Sequence, residues 1–527
     1  MWHEGRVYFI TDRDGIQNIW SMDADGKNLK QHTKHAEFDV RSANLDNGKI
    51  VYQHAADLWL LDIASGEYDK IAIRLASDLE HLRETWVEDP SSYITSVHPS
   101  PKGDKVIVTA RGRLFTVPLE VGRTIPLTEE EAVIRYRDAV FSHDGAHIIS
   151  LSDESGELEF VQLSADGTGE VEELTMDGKR LRYKGEPSSD GKWIAYDDLE
   201  NNMYVLNVST GASKLISTNQ QGIRDFSWSP DNQWLAFVQR ASNRMYQIKV
   251  YNVNDGSLFD LTTDRSNNYS VAWSPDGKFI YFLSDRGFQT LMGSPRDARL
   301  GGVYWDKSES VYHVPLKKSY RSPFREKDEL MDEIKEDEAA TDTLIVSIDK
   351  ESIQSRNIKV PVPEGNYNDL AINDKALYLL TEETGSNAKS HLKVVKITNE
   401  DAKLADMASE ISGFELSQNG EKMLIVKGGS YYMVDAGTGS VNLKEGKIDF
   451  SGCKFSIDPR EDWKQLYKDA WRMERDYFYD KNMHGVDWEA MYEKYLPLVD
   501  RVTTRNELNQ VLARLVGELS VLHAGAS

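Results

Sequence analysis

Ser274-Pro275-Asp276-Gly277, followed after one lysine by Phe279-Ile280-Tyr281-Phe282, is the stretch from which the fold is read. Proline presets the first corner of a tight turn, and the Asp-Gly pair tolerates the positive φ that a hairpin needs. An unbroken apolar run after such a turn suits a strand covered on both faces. The arrangement recurs at Ser100-Pro101-Lys102-Gly103, Ser142-His143-Asp144-Gly145, Ser189-Asp190-Gly191, Ser229-Pro230-Asp231-Asn232 and Ser417-Gln418-Asn419-Gly420. Each turn leads into a strand such as Val106-Ile107-Val108, Trp193-Ile194-Ala195-Tyr196 or Met423-Leu424-Ile425-Val426. Most units continue into a polar hairpin and a further strand, and several close on Leu-Thr, at Leu127-Thr128, Leu174-Thr175 and Leu261-Thr262. A period of about 40 to 45 residues with four strands per unit predicts a β-propeller.

Between the turns at Gly277 and Gly420 the spacing more than doubles. The gap holds an acidic insertion at about 319–343, read as a solvated excursion. It also holds a degenerate unit with strands expected at Leu344-Ile345-Val346-Ser347-Ile348 and Ala376-Leu377-Tyr378-Leu379-Leu380. Counting that unit, residues 79–452 form a seven-bladed propeller. Residues 1–78 supply only about two blades, around Arg6-Val7-Tyr8-Phe9-Ile10 and Leu58-Trp59-Leu60-Leu61-Asp62. Propellers close with four or more blades, so these are expected to be the last blades of an incomplete first propeller of the six-bladed type. The fold class is mainly β.

After residue 452 the period changes. Asp458 is a candidate N-cap before Pro459, and Trp463, Leu466, Tyr467, Ala470 and Trp471 recur at helical spacing, with Tyr477 and Phe478 expected to close the same face. Asn482-Met483-His484-Gly485 breaks this helix. Asp487 begins a second helix through Trp488, Met491, Tyr492 and Tyr495, and Thr504-Arg505-Asn506-Glu507 reads as a capping box for a third. Residues 453–527 are thus expected to be a helical segment.

Composition narrows the function. A net charge of −24 opposes nucleic acid and anionic lipid. The single cysteine, Cys453, allows no internal disulfide and reads as a small buried apolar residue. No apolar run reaches about 18 residues and the N-terminus lacks a signal-peptide pattern, so no membrane association and a cytoplasmic location are expected. A Gly-x-Ser-x-Gly elbow, a phosphate loop, clustered metal-ligand spacing and a dinucleotide fingerprint are all lacking from the sequence. No cofactor and no metal are expected.

Trp471-Arg472-Met473-Glu474-Arg475-Asp476-Tyr477-Phe478-Tyr479, Met483-His484-Gly485-Val486-Asp487-Trp488 and Gly517-Glu518-Leu519 ahead of a histidine resemble the opening of the catalytic core of the tricorn protease family. The upstream order, the end of a six-bladed propeller and then a seven-bladed one, is similar too. The resemblance implies a serine endopeptidase that degrades oligopeptides, a homo-oligomer of hexameric type, and propellers that filter access to an interior site. It also implies that His523 is the general base. The nucleophilic serine, its oxyanion donors, the supporting glutamate and a PDZ-like domain would belong to later segments, so this 527-residue form is expected to be an inactive N-terminal and central fragment. Where the family commonly has a serine before that histidine, Leu522 stands here. His484 reads as a loop residue. The alternative to the peptidase is a non-catalytic propeller scaffold that binds peptides or proteins.

Overall fold

The computed structural model describes residues 1–74, 76–128, 134–179, 181–219, 221–287, 306–326, 328, 344–385 and 387–521. The chain divides into two compact units, one comprising residues 1–85 with 457–527, the other 86–456.

The larger unit is a seven-bladed propeller. Among the described residues its sheets are antiparallel meanders: six of four strands, spanning residues 94–126, 136–173, 186–218, 223–260, 268–359 and 367–409, and a seventh of three strands at 413–435. The recurring turn explains itself in the geometry. In each motif the glycine or Asn232 amide donates to the carbonyl of the motif serine, for example Gly277 to Ser274 at 2.9 Å and Gly420 to Ser417 at 2.8 Å. In four of the motifs, with Ser100 instead reaching Asp104 at 2.6 Å, the serine hydroxyl donates to the acid or amide two positions on, as Ser274 to Asp276 at 2.6 Å and Ser417 to Asn419 at 2.7 Å. It also accepts the amide of the residue that opens the following strand, Phe279 at 2.9 Å and Lys422 at 3.0 Å. In the third blade the serine in this role is Ser188, one residue earlier than the sequence pattern suggests, and it accepts from Trp193 at 3.0 Å.

Glycine is required at these turns by conformation and by space. Gly191 has φ +69°, and a Cβ there would lie 2.2 Å from Nδ1 of His143 in the preceding blade's turn. Gly103 has φ +68°, and its Cβ would meet Cβ of Lys422 at 2.5 Å. That second approach is where the first blade meets the seventh. There the Asn419 amide donates to the Pro101 carbonyl at 3.0 Å and His98 Nδ1 lies 2.7 Å from Glu415 Oε2.

The Leu-Thr pairs have a physical role as well. Each threonine hydroxyl accepts a backbone N–H from the blade's third strand: Phe160 to Thr175 at 2.9 Å, Ile248 to Thr262 at 3.0 Å and Leu114 to Thr128 at 3.4 Å. Thr262 is fully buried, whereas Thr128 is partly exposed. Replacing Thr262 with valine keeps the shape but orphans the Ile248 amide, and is expected to cost about 1–3 kcal/mol, more than Thr128→Val. Denaturant unfolding of the two variants side by side checks the order.

The apolar runs pack between blades. Trp234, Ala236, Val238, Ile248 and Val250 of the fourth sheet meet Trp273, Ile280 and Phe282 of the fifth. The expected strand at 344–348 is not one. Val346 donates its amide to Asp231 Oδ2 at 2.8 Å instead of to a ladder, and its side chain fills the core between the fourth and fifth blades against the Gly277 turn. The degenerate unit is the sheet 367–409, whose turn replaces the motif serine by Asn373, accepting from Lys375 and Ala376 at 2.9 Å each. Of the acidic insertion, positions 327 and 329–343 lie outside the described residues. Cys453 is fully buried, and burial pushes its thiol up to about 12, which keeps it unreactive.

In the smaller unit, four-stranded sheets at residues 2–31 and 40–70 share a core of Tyr8, Ile19, Val40, Ile50, Tyr52 and Leu61. The three helices belong to the same unit.

Candidate active-site segment

Three helices carry the segment: α1 Pro459–Tyr477, α2 Trp488–Val499 and α3 Arg505–Gly517. Their starts follow the sequence signals. Asp458 Oδ1 accepts from Arg460 at 2.8 Å, Asp487 Oδ1 accepts from Ala490 at 3.0 Å, and Thr504 with Glu507 forms a capping box. Trp463, Tyr467 and Trp471 of α1 pack with Trp488 and Tyr495 of α2 and Leu508, Leu512 and Leu515 of α3. Two indoles lock the first pair reciprocally: Trp471 Nε1 donates to the Trp488 carbonyl at 2.9 Å and Trp488 Nε1 to the Trp471 carbonyl at 3.0 Å. Tyr477 departs from the expected face. It lies on the last turn of α1 and is 56% exposed, while Phe478 beyond it turns back onto the core.

The helices lean on the second blade. Phe38 meets Tyr495 edge-on at 5.5 Å, and Arg501 clasps Asp57 with contacts of 2.9 and 2.6 Å. Hydrogen bonding from Arg501 is the largest of the effects that hold the Asp57 carboxyl below its usual range. A cavity of about 510 Å³ lies beside this contact, lined by Arg41 and Glu37 of the blade and by Lys494, Tyr495, Arg514 and Glu518 of the helices.

At the end of α3 the chain is held at several points. Glu518 Oε1 accepts from Lys494 Nζ at 2.7 Å and from the Tyr495 hydroxyl at 2.6 Å. Burial foremost, and then the Glu518 carboxylate, raise the Tyr495 phenol, so it stays a donor. Leu519 is fully buried in the helical core and Val521 packs beside it. His523, the expected general base, lies outside the described residues, as does Leu522. The other imidazole of the segment is engaged at both nitrogens: His484 Nδ1 lies 3.0 Å from the Leu519 carbonyl, and Nε2 meets the Tyr479 hydroxyl.

The bore of the seven-bladed propeller carries polar groups that the sequence reading did not single out. A cavity of about 470 Å³ at the end bearing the serine turns is lined by His98, Lys184, Glu186, Trp228, Trp273 and Glu415 among others. His98 pairs with Glu415 at 2.7 Å and Lys184 with Glu186 at 3.9 Å. Burial pushes Glu186 up. It opposes ionisation of Glu415 as well, but the His98 imidazole beside that carboxyl prevails and keeps it low. Deeper in the bore, Ser270 donates its amide to Asp225 at 2.9 Å and its hydroxyl to Asp369 at 2.8 Å, stitching three blades together. Among the described residues no group of three or more His, Cys, Asp or Glu side chains is arranged to hold a metal ion. Nor is any described helix long and apolar enough to cross a membrane, which says nothing of β-barrels.

Comparison with known families assigns this architecture. The family described as the tricorn protease second beta propeller domain matches residues 94–437. The chain belongs to the tricorn protease family. The tricorn protease C1 domain matches residues 459–517, ending short of His523, and the tricorn N-terminal beta propeller domain matches residues 1–67. A putative tricorn-like protease C-terminal subunit of Sulfurisphaera tokodaii is 28% identical, with 98% of this chain and 58% of that protein covered. The tricorn protease of Thermoplasma volcanium is 25% identical over 98% of this chain and 49% of its own length. The crystal structure of the tricorn protease superposes with a TM-score of 0.78 at 19% identity, covering this chain entirely and 50% of that one, a likeness of fold. The chain spans about half the length of the curated tricorn relatives it matches.

Proposed function

We propose that this chain is the propeller-bearing and base-bearing part of a tricorn-type serine endopeptidase acting on oligopeptides. The observation that carries the reading is the alignment of 98% of the chain with proteins named tricorn protease, together with the C1 match over the helical segment. In this reading residues 1–78 are the last blades of a first propeller, residues 79–452 a seven-bladed access filter, and residues 453–527 the first segment of the catalytic core. His523 takes the proton of a serine hydroxyl, which is a poor nucleophile until a neighbouring imidazole does so. That serine, its oxyanion donors and a supporting glutamate sit in the half of the relatives' length that this chain does not span. Assembly into a homo-hexamer in the cytoplasm completes the proposal. Paired charges in the bore favour a polar peptide as the passenger, and they would serve a peptide-binding scaffold equally.

The test compares the 527-residue chain with a form that continues through the rest of the relatives' length. The longer form is expected to hydrolyse fluorogenic oligopeptides and to be labelled on one serine by a fluorophosphonate, while the 527-residue chain does neither. A longer form that binds peptides without cleaving them would replace the peptidase by the scaffold.

A further inference from the structure

We infer that Lys184 and Glu186 form a main-chain clamp in the bore of the seven-bladed propeller, a subsite that holds one residue of an extended peptide by its carbonyl and its amide. The inference rests on the reading of the bore as a path for peptides. Both side chains line the cavity of about 470 Å³ and both are partly exposed to it. Lys184 Nζ stands 3.9 Å from Glu186 Oε2, beyond hydrogen-bond reach. Among the described residues neither the ammonium nor the carboxylate makes a hydrogen bond. The other charged pair of the cavity differs: His98 Nδ1 and Glu415 Oε2 stand 2.7 Å apart, so each already has its partner. Lys184 and Glu186 therefore offer a ligand a free donor group and a free acceptor group side by side.

The chain is built to present this pair. Gly185 between them is pressed against the blades: a Cβ there would lie 2.6 Å from Cγ2 of Ile194 and 2.7 Å from Cε1 of Phe160. No side chain fits at that position, and the residues on either side of it are the ones that reach the cavity. The backbone of Glu186 is tied on both sides, pairing with Ala195 in its own sheet and accepting the Trp228 indole N–H of the next blade at 2.9 Å. Trp273 repeats that bond one blade further on, to the Ser227 carbonyl at 2.9 Å. Both indole N–H groups are thereby used, and the two rings stand as fixed apolar wall beside the charged pair. The ligand chemistry follows. An extended peptide turns the N–H and C=O of every second residue to one edge, and in an antiparallel ladder such a residue exchanges both bonds with its partner. The Lys184 ammonium donates and the Glu186 carboxylate accepts, so together they give that edge what a neighbouring strand would. A charged side chain would be attracted by one member of the pair and repelled by the other, whereas the neutral main chain satisfies both. Recognition of this kind is indifferent to peptide sequence, except that proline lacks the N–H.

The test is direct binding to the 527-residue chain, followed by the fluorescence anisotropy of an acetylated, amidated and dye-labelled heptapeptide of alanine and serine. The same peptide N-methylated at its backbone amides keeps every carbonyl but loses its donors, and is expected to bind about tenfold more weakly, the scale of a hydrogen bond to a charged group. Lys184→Met and Glu186→Leu each weaken binding of the unmodified peptide by about tenfold as well. Lys184→Arg and Glu186→Gln, which keep a donor and an acceptor, stay within about threefold. A lysine or a glutamate added to the peptide changes its affinity less than N-methylation does. In the longer form Lys184→Met raises KM by about tenfold with kcat unchanged, the signature of lost binding alone. Equal affinity for the N-methylated and unmodified peptides, no saturable binding to the unsubstituted chain, or an affinity set by the charge of the peptide would overturn the clamp while the peptidase reading stands. Binding that follows the expected order, in a protein whose longer form never cleaves peptides, would keep the clamp and replace the peptidase by a peptide-binding scaffold.

Discussion

The His523→Ala variant of the longer, peptide-cleaving form is expected to lose about four orders of magnitude or more in kcat with little change in KM. The magnitude follows from what an unassisted serine can do. At neutral pH its hydroxyl is un-ionised, and removing the imidazole that accepts its proton costs a serine peptidase nearly as much as removing the serine itself. On the proposed reading a general base acts on the nucleophile and not on the bulk of the peptide, so substrate binding is expected to be left in place. Thermal unfolding of the variant is expected to match the unsubstituted protein, which separates lost chemistry from lost structure. His523→Ala retaining more than a tenth of the activity would assign the base to another residue. His484 is the poorer alternative, since both of its ring nitrogens are already occupied, one by Leu519 and one by Tyr479.

The blades were legible because their defining interactions are local. A motif serine, the acid two positions on and the strand-opening amide five positions on lie within one turn, and the sequence shows them together. Even the bore follows from that frame. The residue two positions before each motif serine lines the cavity, which gives His98, Val140, Glu186, Ser227, Ala272 and Glu415, with Ala371 in the same place before Asn373. Reading those positions in order would have exposed His98 and Glu415 from sequence alone, but not Glu186, because the sequence pattern puts the third motif's serine at Ser189. What stayed hidden depends on partners distant in the chain. The run 344–348 has the composition of a strand, yet Asp231, 115 positions away, binds its amide and takes it out of the ladder. His484 reads as a loop residue because Leu519 stands 35 positions away. The expectation for His523 rests on the family motif alone, since a single histidine after a helix carries no chemistry in its spacing.

Glu159→Ala is expected to lower the stability of the seven-bladed unit by about 3–5 kcal/mol, the range for removing one member of a buried ion pair. Glu159 opens the third strand of the second blade, is 4% exposed, and faces Arg182, itself 7% exposed, at 3.2 Å. Its other contacts are as confined: the Thr175 hydroxyl donates to Oε2 and the Gly178 amide to Oε1. Arg182 stands at the entry to the third blade, bridging to Asp198 and covering the Tyr196 ring at 5.6 Å, so the pair ties two blades together. Without the carboxylate, the guanidinium keeps the Thr175 hydroxyl at 2.9 Å and, as a charged partner, Asp177 at 2.5 Å, which is exposed and whose charge water screens. The Gly178 amide and the Thr175 hydroxyl lose their acceptor at the same time. Glu159→Gln keeps the shape and one acceptor oxygen, and its smaller expected cost of about 1–3 kcal/mol isolates the charge from the hydrogen bonds. The double replacement Glu159→Leu with Arg182→Met removes both charges and fills the space, and should recover much of the loss, because a buried pair is costly to break and far less costly to replace. Denaturant midpoints measured with unchanged slopes decide the matter. A Glu159→Ala midpoint within about 1 kcal/mol of the unsubstituted protein would mean that water reaches Arg182 and that the second and third blades are held by their apolar faces alone.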